Sequence, residues 1–453
     1  MTDFSGAPRA RALLVIAYIF PPFFSPGGSI RVVKFLKYLP ALGWRPVVLT
    51  VDDRREYEHL RRVGSEELLR DLPPEVDICR TGEGEPPADL MARGRAARDK
   101  SRATRALING LRDLRAWAHR WLLVPDENIL WLPFALRAGR RLVRERQIDA
   151  LFVTCPPNSA AVIGALLAWL TRKPLVVDFR DDWIDTPWYW HQPGLVRAVN
   201  RWLERRVIDA AARVIAVTPA SLAAIRRRHE RAPDSKFRLI PNGVDLADFS
   251  DQGAAQPTRN GQLTMVHAGL LTAAPGEWQR SPAALFRALA SIRATDPDIA
   301  ADIRLLFTAA LPPEYRALVE NLGLGEMVQE IGYLPRAEFT GLLRGSDLLV
   351  AINYEQYATL VPGKLYEYWA VGGPPILLLS HPGAAQELVT RHALGTALLP
   401  DDEAGIRACV LEVYRRRAAG HPVRIERDGI EAYDRPRLAA SLSEILEEIV
   451  SGR

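Results

Sequence analysis

Cysteine is scarce in this 453-residue chain: Cys79, Cys155 and Cys409 stand far apart, in none of the short spacings of a metal site or redox pair. They build no disulfide framework and fit a reducing cytosol. No apolar run reaches the length of a membrane span, and the N-terminus lacks the charged-then-apolar pattern of a signal peptide, so a cytoplasmic protein is expected. The G-x-G-x-x-G spacing of a nicotinamide site is missing, and no short internal repeat is visible. What remains is ordinary in amount: 48% hydrophobic and 25% charged residues, enough for real cores in a soluble protein. The length suggests two large domains, or two to three.

The order of elements says more than the amounts. Leu13 to Ile19 is a buried-strand run, Phe20 to Ser29 a breaker-rich loop, Ile30 to Leu42 an apolar stripe of helical period, and Val47 to Val51 the next strand. This is a βαβ unit, expected with a right-handed crossover. Adjacent Gly27 and Gly28 at the end of the first strand let backbone approach a diphosphate closely, or simply turn the chain. The rhythm resumes with Asp126 and Glu127 ahead of a helix to about Glu145, strand 149–154, Cys155-Pro-Pro-Asn-Ser159 and an alanine-rich helix. Leu175 to Trp183 reads as a strand whose carboxyl end emits Asp178, Arg180, Asp181 and Asp182. Ligands of open α/β sheets bind at such ends, and several ionisable groups together favour a site over a loop-holding Arg–Asp pair.

After a linker at about 248–260 with almost no apolar content, strands at 263–268, 303–308, 328–332, 347–352, 376–379 and 396–399 alternate with helices. Within this second half, Val361 to Leu379 reads as loop, short helix, glycine stop and buried strand. Pro362 and Gly363 open it, Leu365 and Trp369 share one helical face, and Gly372-Gly373 with two prolines end it. The first helical turn offers free N–H groups, a positive dipole end and Lys364, all suited to an anion. Glu367 follows one turn later, where a carboxylate accepts hydrogen bonds from vicinal hydroxyls. A phosphate beside a ribose meets both demands; a solvated surface helix is the plain alternative.

Charge is uneven. The chain carries a formal +5, yet between Met91 and Arg120 nine Lys and Arg stand against Asp99 and Asp113 alone. Leu107, Leu111, Leu114, Trp117 and Trp121 follow at helical spacing. Residues 91–122 therefore read either as a basic amphipathic helix at a membrane surface or as a helix packed on its own domain. No nucleic-acid-binding motif accompanies the basic run, so nucleic acid is not expected as a partner.

Taken in order, these pieces resemble the GT-B-fold retaining glycosyltransferases of family four, in the subgroup with a P-G-K-x-x-E-Y motif. The resemblance rests on Phe20-Pro-Pro with Gly27-Gly28-Ser-Ile-Arg31, Thr154 to Ser159, Asp178 to Trp183, Pro241-Asn-Gly-Val-Asp245, Gly269 with Arg280-Ser-Pro, and Pro362 to Tyr368. It implies two Rossmann-like α/β domains facing across a cleft: 1–240 binding the acceptor, 241–435 binding a nucleotide sugar, and 436–453 as a helix crossing back to the first. Arg280 and Lys364 would then neutralise the donor diphosphate, with Leu365 beside them and Glu367 on the ribose. Gly27 and Gly28 would approach the diphosphate or the transferred sugar. Asn158, Arg180 and Asp181 would take the catalytic positions, and Arg31, Asp178 and Asp182 the acceptor side. The donor would be a UDP-, GDP- or similar sugar with no metal. The acceptor would be a hydroxyl, lipid-linked or on a growing polysaccharide if 91–122 docks on a bilayer.

Two positions depart from the family. The first of its usual glutamate pair is Thr359 here, and the histidine of its P-P-H-S segment is Asn158. A sugar-nucleotide epimerase of the same fold is the nearest rival, but it calls for cleft carboxylates and histidines in number, and the chain has eight histidines in all. A non-catalytic nucleotide-sugar-binding protein is a further alternative, which the missing first glutamate encourages.

Overall fold

The strands explain their own burial. In β1 (Arg11–Ile16), Ala12, Leu14 and Ile16 enter one core while Leu13 and Val15 enter another on the opposite face. A strand covered on both sides has no polar face, hence its continuous apolar run. The computed structural model describes residues 10–23, 28–52, 65–84, 121, 123–184, 186–249, 262–271, 281–353 and 358–452. The stretch 91–122, but for residue 121, and most of the 248–260 linker lie outside the described residues.

The chain divides into two units. Unit 1 comprises Met1–Val217, Ser221–Ile240 and Leu438–Arg453; unit 2 comprises Thr218–Ala220 and Pro241–Arg437. In unit 1, β1 is joined by β2 (Trp44–Val51), β3 (Asp77–Thr81), β4 (Ala150–Cys155), β5 (Leu175–Phe179), β6 (Arg213–Ala216) and β7 (Phe237–Leu239), in the order β3-β2-β1-β4-β5-β6-β7. Unit 2 has β8 (Leu263–His267), β9 (Ile303–Phe307), β10 (Val328–Glu330), β11 (Leu348–Ile352), β12 (Ile376–Leu379) and β13 (Gly395–Leu398), in the order β10-β9-β8-β11-β12-β13. Every pairing within the two sheets is parallel. Each sheet therefore grows from its first strand in both directions, which places a topological switch between β1 and β4 and another between β8 and β11.

Helices Leu132–Glu145 and Asn158–Thr171 fill one face of the unit 1 sheet; helix Ser29–Tyr38 and the last helix, Arg435–Ser451, fill the other. Leu438, Leu442, Ile445 and Ile449 of that last helix enter the unit 1 core, and Trp44 Nε1 donates to Ser443 Oγ at 3.0 Å. Among the elements that escaped the sequence reading are β3 and helix Ala384–Arg391. β3 is an edge strand whose five residues are all half-buried, so it carries no apolar run. Helix Ala384–Arg391 has only eight residues. The strand read as Leu175 to Trp183 ends at Phe179, leaving Arg180, Asp181 and Asp182 in the loop beyond it.

Arg31 and Asp178 correct an expectation. Both are wholly buried and form a two-pronged pair, Nε to Oδ2 at 3.0 Å and Nη2 to Oδ1 at 2.8 Å. Arg31 Nη2 also donates to the Ile240 carbonyl, and Thr154 Oγ1 to Asp178 Oδ2. Neither side chain is accessible to an acceptor; together they lock helix Ser29–Tyr38 to β4, β5 and the chain leaving β7. Breaking such a pair strands a buried charge at a cost of about 3–5 kcal/mol. Asp178→Ala is expected to lower the urea midpoint of unfolding accordingly; a midpoint within error of the parent's would refute that structural role.

Candidate functional site

In unit 2 the switch point between β8 and β11 gathers three backbone features and two charges. β8 ends at His267, Ala268 follows, and Gly269 takes φ +110°, a left-handed conformation that suits glycine. A Cβ there would lie 3.0 Å from Lys364 Nζ, so the bare glycine lets the ammonium come close. Lys364 belongs to the first turn of helix Gly363–Val371, whose N-cap, Pro362, provides no side-chain bond to the first N–H groups. Its Nζ is 3.5 Å from His267 Nε2. His267 Nδ1 lies 3.0 Å from the Val350 carbonyl, which can only accept, so the proton sits on Nδ1 and the lone pair on Nε2 faces the ammonium. Lys364, the glycine loop and the helix end together can hold an anion.

Tyr368 sets that loop. Its hydroxyl accepts from the Ala268 N–H at 2.8 Å and donates to the Val350 carbonyl at 3.2 Å, tying the end of β8 to the middle of β11. Burial pushes the phenol's pKa up, so it stays a neutral bridge. Glu367 is half-buried one turn from Lys364. Burial raises its carboxyl pKa, against the pull of the Lys364, Arg336 and Arg435 cations.

Leu365 is a correction: its side chain is wholly buried in the core and its N–H donates to Pro362 O, so nothing of it but the fold faces a ligand. Arg280 lies outside the described residues. Thr359 is half-buried, next to Ala358, whose carbonyl accepts from Ala384 N at 2.8 Å. His267 and Tyr368 were missed as site residues. Their signal was available only in part, since a strand-end histidine and the last tyrosine of P-G-K-x-x-E-Y show their partnership in three dimensions alone.

Unit 1 places its own charged groups beside the switch between β1 and β4. A Cβ on Gly28 would overlap the Arg180 guanidinium, so this glycine makes room for that side chain; Gly27 lies outside the described residues. Arg180 donates to the Pro156 carbonyl, and burial lowers its pKa while Asp181 and Asp178 raise it. Asp181 is half-buried; burial raises its pKa, Arg180 opposes that and Asp178 adds to it. Asn158 opens helix Asn158–Thr171, half-buried.

Beside it stands a carboxylate that sequence reasoning left in a loop. Asp126 accepts from Ser159 N at 3.0 Å and Asn128 N at 3.2 Å, capping that helix from 33 residues away. Burial raises its pKa against these bonds. Asp126, Asp178, Arg180 and Asp181 all act electrostatically on the buried Cys155 thiol, whose pKa burial drives well up, so that sulfur is an inert core atom. Asp182 is buried: it accepts from Ser221 Oγ at 3.1 Å and lies 3.7 Å from Arg228, which also bonds the buried Glu204, so it is structural rather than acceptor-facing. Among the described residues no group of three or more His, Cys, Asp or Glu is placed to hold a metal ion, and no helix is long and apolar enough to cross a membrane.

Known proteins share this fold. The crystal structure of Anabaena Alr3699/HepE in complex with UDP and glucose superposes with a TM-score of 0.62 at 15% identity, over 97% of this chain and 100% of that one. Sucrose-phosphate synthase from Thermosynechococcus elongatus gives 0.63 at 15% identity, over 98% and 100%. The fold is GT-B. A family model described as a glycosyl transferase 4-like domain matches residues 27–243. In sequence, a D-inositol 3-phosphate glycosyltransferase from Arthrobacter sp. (strain FB24) is 31% identical over 163 residues, which is 35% of this chain and 38% of that protein's length.

Two outcomes follow from the unit 2 geometry. Tyr368→Phe leaves the Ala268 N–H without its acceptor, at a cost of about 1–3 kcal/mol, measurable as a lower unfolding midpoint. Because burial holds Glu367 above the ordinary 4.5, the unfolded chain ionises this group first as pH rises. Its contribution to stability therefore falls from about pH 4.5 up to its raised pKa and stays lost above it. Glu367→Gln is expected to be more stable than the parent at neutral pH and equally stable near pH 4; the reverse order would contradict the assignment.

Proposed function

We propose that the chain is a glycosyltransferase that moves a sugar from a nucleotide-diphosphate donor to a hydroxyl acceptor, with retention of configuration, in the biosynthesis of a polysaccharide, glycolipid or other glycoconjugate. The observation that carries this reading is the pairing of Lys364 with the bare Gly269 loop, with Glu367 one turn behind. An ammonium, uncapped N–H groups and a close-approaching backbone suit a diphosphate, and a carboxylate at that distance suits a ribose diol. When the glycosidic bond breaks, negative charge grows on the leaving diphosphate, and Lys364, held by His267, meets it there. Arg280 adds a second cation by its place in the family's motif.

In unit 1, Asn158, Arg180 and Asp181 face the acceptor or the transferring sugar, with Asp126 beside Asn158. Gly28 serves by clearing space for Arg180, and Gly27 by letting backbone approach the donor. No metal is required in this scheme, because side-chain and backbone donors carry the diphosphate. UDP-sugars come first among donors, since the HepE structure holds UDP and glucose. The acceptor is lipid-linked or a growing polysaccharide if residues 91–122 bring the protein to a membrane surface.

The test is a donor screen with the purified protein, following release of nucleoside diphosphate. Lys364→Ala and Glu367→Ala are expected to cut turnover by about 10²–10³-fold, the usual consequence of deleting one group aimed at developing charge. A protein that turns over no nucleotide sugar, or mutants that react like the parent, would remove the assignment. The anomeric configuration of the product, read by NMR, decides retention.

A further inference from the structure

Helices Asn158–Thr171 and Gly194–Ala210 lie side by side over one face of the unit 1 sheet, with Ile163, Leu167, Val207 and Ile208 in the shared core. Their outer faces are apolar as well. Leu195, Val199 and Trp202 recur at helical spacing on the second helix, 65%, 37% and 55% exposed, and Leu166 and Trp169 on the first are 36% and 75% exposed. A surface helix ordinarily turns its polar face outward, and an apolar stripe left facing water marks a contact surface.

The charges around this stripe are mostly positive. Arg172, Arg201, Arg205 and Arg206 are exposed beside it, and the Arg206 guanidinium lies 5.7 Å over the Trp202 ring. The first helix carries no acidic residue, and on the second Glu204 is buried against Arg228 and His229, leaving only Asp209 exposed. Tryptophan and leucine rimmed by arginine is the composition of a surface that sinks its rings to the headgroup level and sets its cations among anionic headgroups.

We propose that this face of unit 1 docks on an anionic lipid bilayer. The chain's own basic stretch at 91–122 is excluded as the occupant by its excess of seven positive charges, which would bring like charge to like. Docking here is independent of which sugar the protein transfers and of whether it transfers one.

Flotation of the full chain with phosphatidylcholine vesicles, alone or containing phosphatidylglycerol, tests this. The expected result is co-flotation with the phosphatidylglycerol vesicles only, weakened by salt. The R201A/R205A/R206A variant is expected to lower the partition coefficient about 100-fold, each arginine counting for about fivefold, and Trp202→Ala combined with Trp169→Ala is expected to lower it about as far. These side chains are exposed, so circular dichroism should match the parent's. Two outcomes overturn the proposal. If the intact chain fails to float with anionic vesicles, a protein partner covers the stripe instead. If both variants float as the parent does, membrane binding belongs to another surface such as 91–122.

Discussion

A parallel sheet that adds strands on both sides of its first strand leaves a gap at that strand's carboxyl end, because the two flanking crossovers run to opposite faces. Both units are organised by that constraint. In unit 2 the gap at the end of β8 is where His267, Gly269 and Lys364 meet, and Tyr368 ties β8 to β11 across it. In unit 1 the gap at the end of β1 is where Gly28 gives way to Arg180, with Asn158 opening the helix after β4. Backbone at such a gap has no neighbouring strand to bond, so its N–H groups are available to side chains or to a ligand.

The charged groups sort into two populations by how they are held. Arg31 with Asp178, and the buried Glu204 with a partly exposed Arg228, are hydrogen-bonded to each other, which is how a folded core tolerates ions. Glu367, Asp181 and Asp126 are half-buried, and in each burial raises the carboxyl pKa faster than neighbouring cations or N–H groups lower it. The first population holds strands and helices together. The second lies at the two switch points and supplies the candidate site groups, Asp126 also capping the helix that Asn158 opens. Sequence alone merged these populations in the Asp178-to-Asp182 cluster; the split between them is a matter of which way each side chain turns.

Most of the fold was legible because its strands are buried on both faces and so announce themselves as apolar runs, as in Leu13 to Ile16 and Ile376 to Leu379. β3 was not, being a half-buried edge. Within the candidate site, the relation of Lys364 to Glu367 was readable because a proline-glycine start and a glycine stop define their helix, whose geometry fixes it. Asp126 was not, since its contact with Ser159 spans 33 residues and follows no period. Leu365 failed for the opposite reason: a motif position does not distinguish a residue that touches a ligand from one that anchors the helix beneath it.

Burial of the candidate site's charged groups bears on what an occupant would do to stability. Arg180 is held where its charged form is less favourable than in water, and so are Glu367 and Asp181. The helix carrying Lys364 begins without a side-chain cap. Of these, Glu367 is matched by hydroxyl donors, and the helix end with Lys364 by an anion. A ligand bearing both therefore stabilises unit 2 by more than either fragment alone, because the two groups sit one helical turn apart and the second is already oriented once the first is bound. Such coupling, measured with a nucleotide and its fragments, would separate a nucleotide site from a surface helix that happens to carry a lysine and a glutamate.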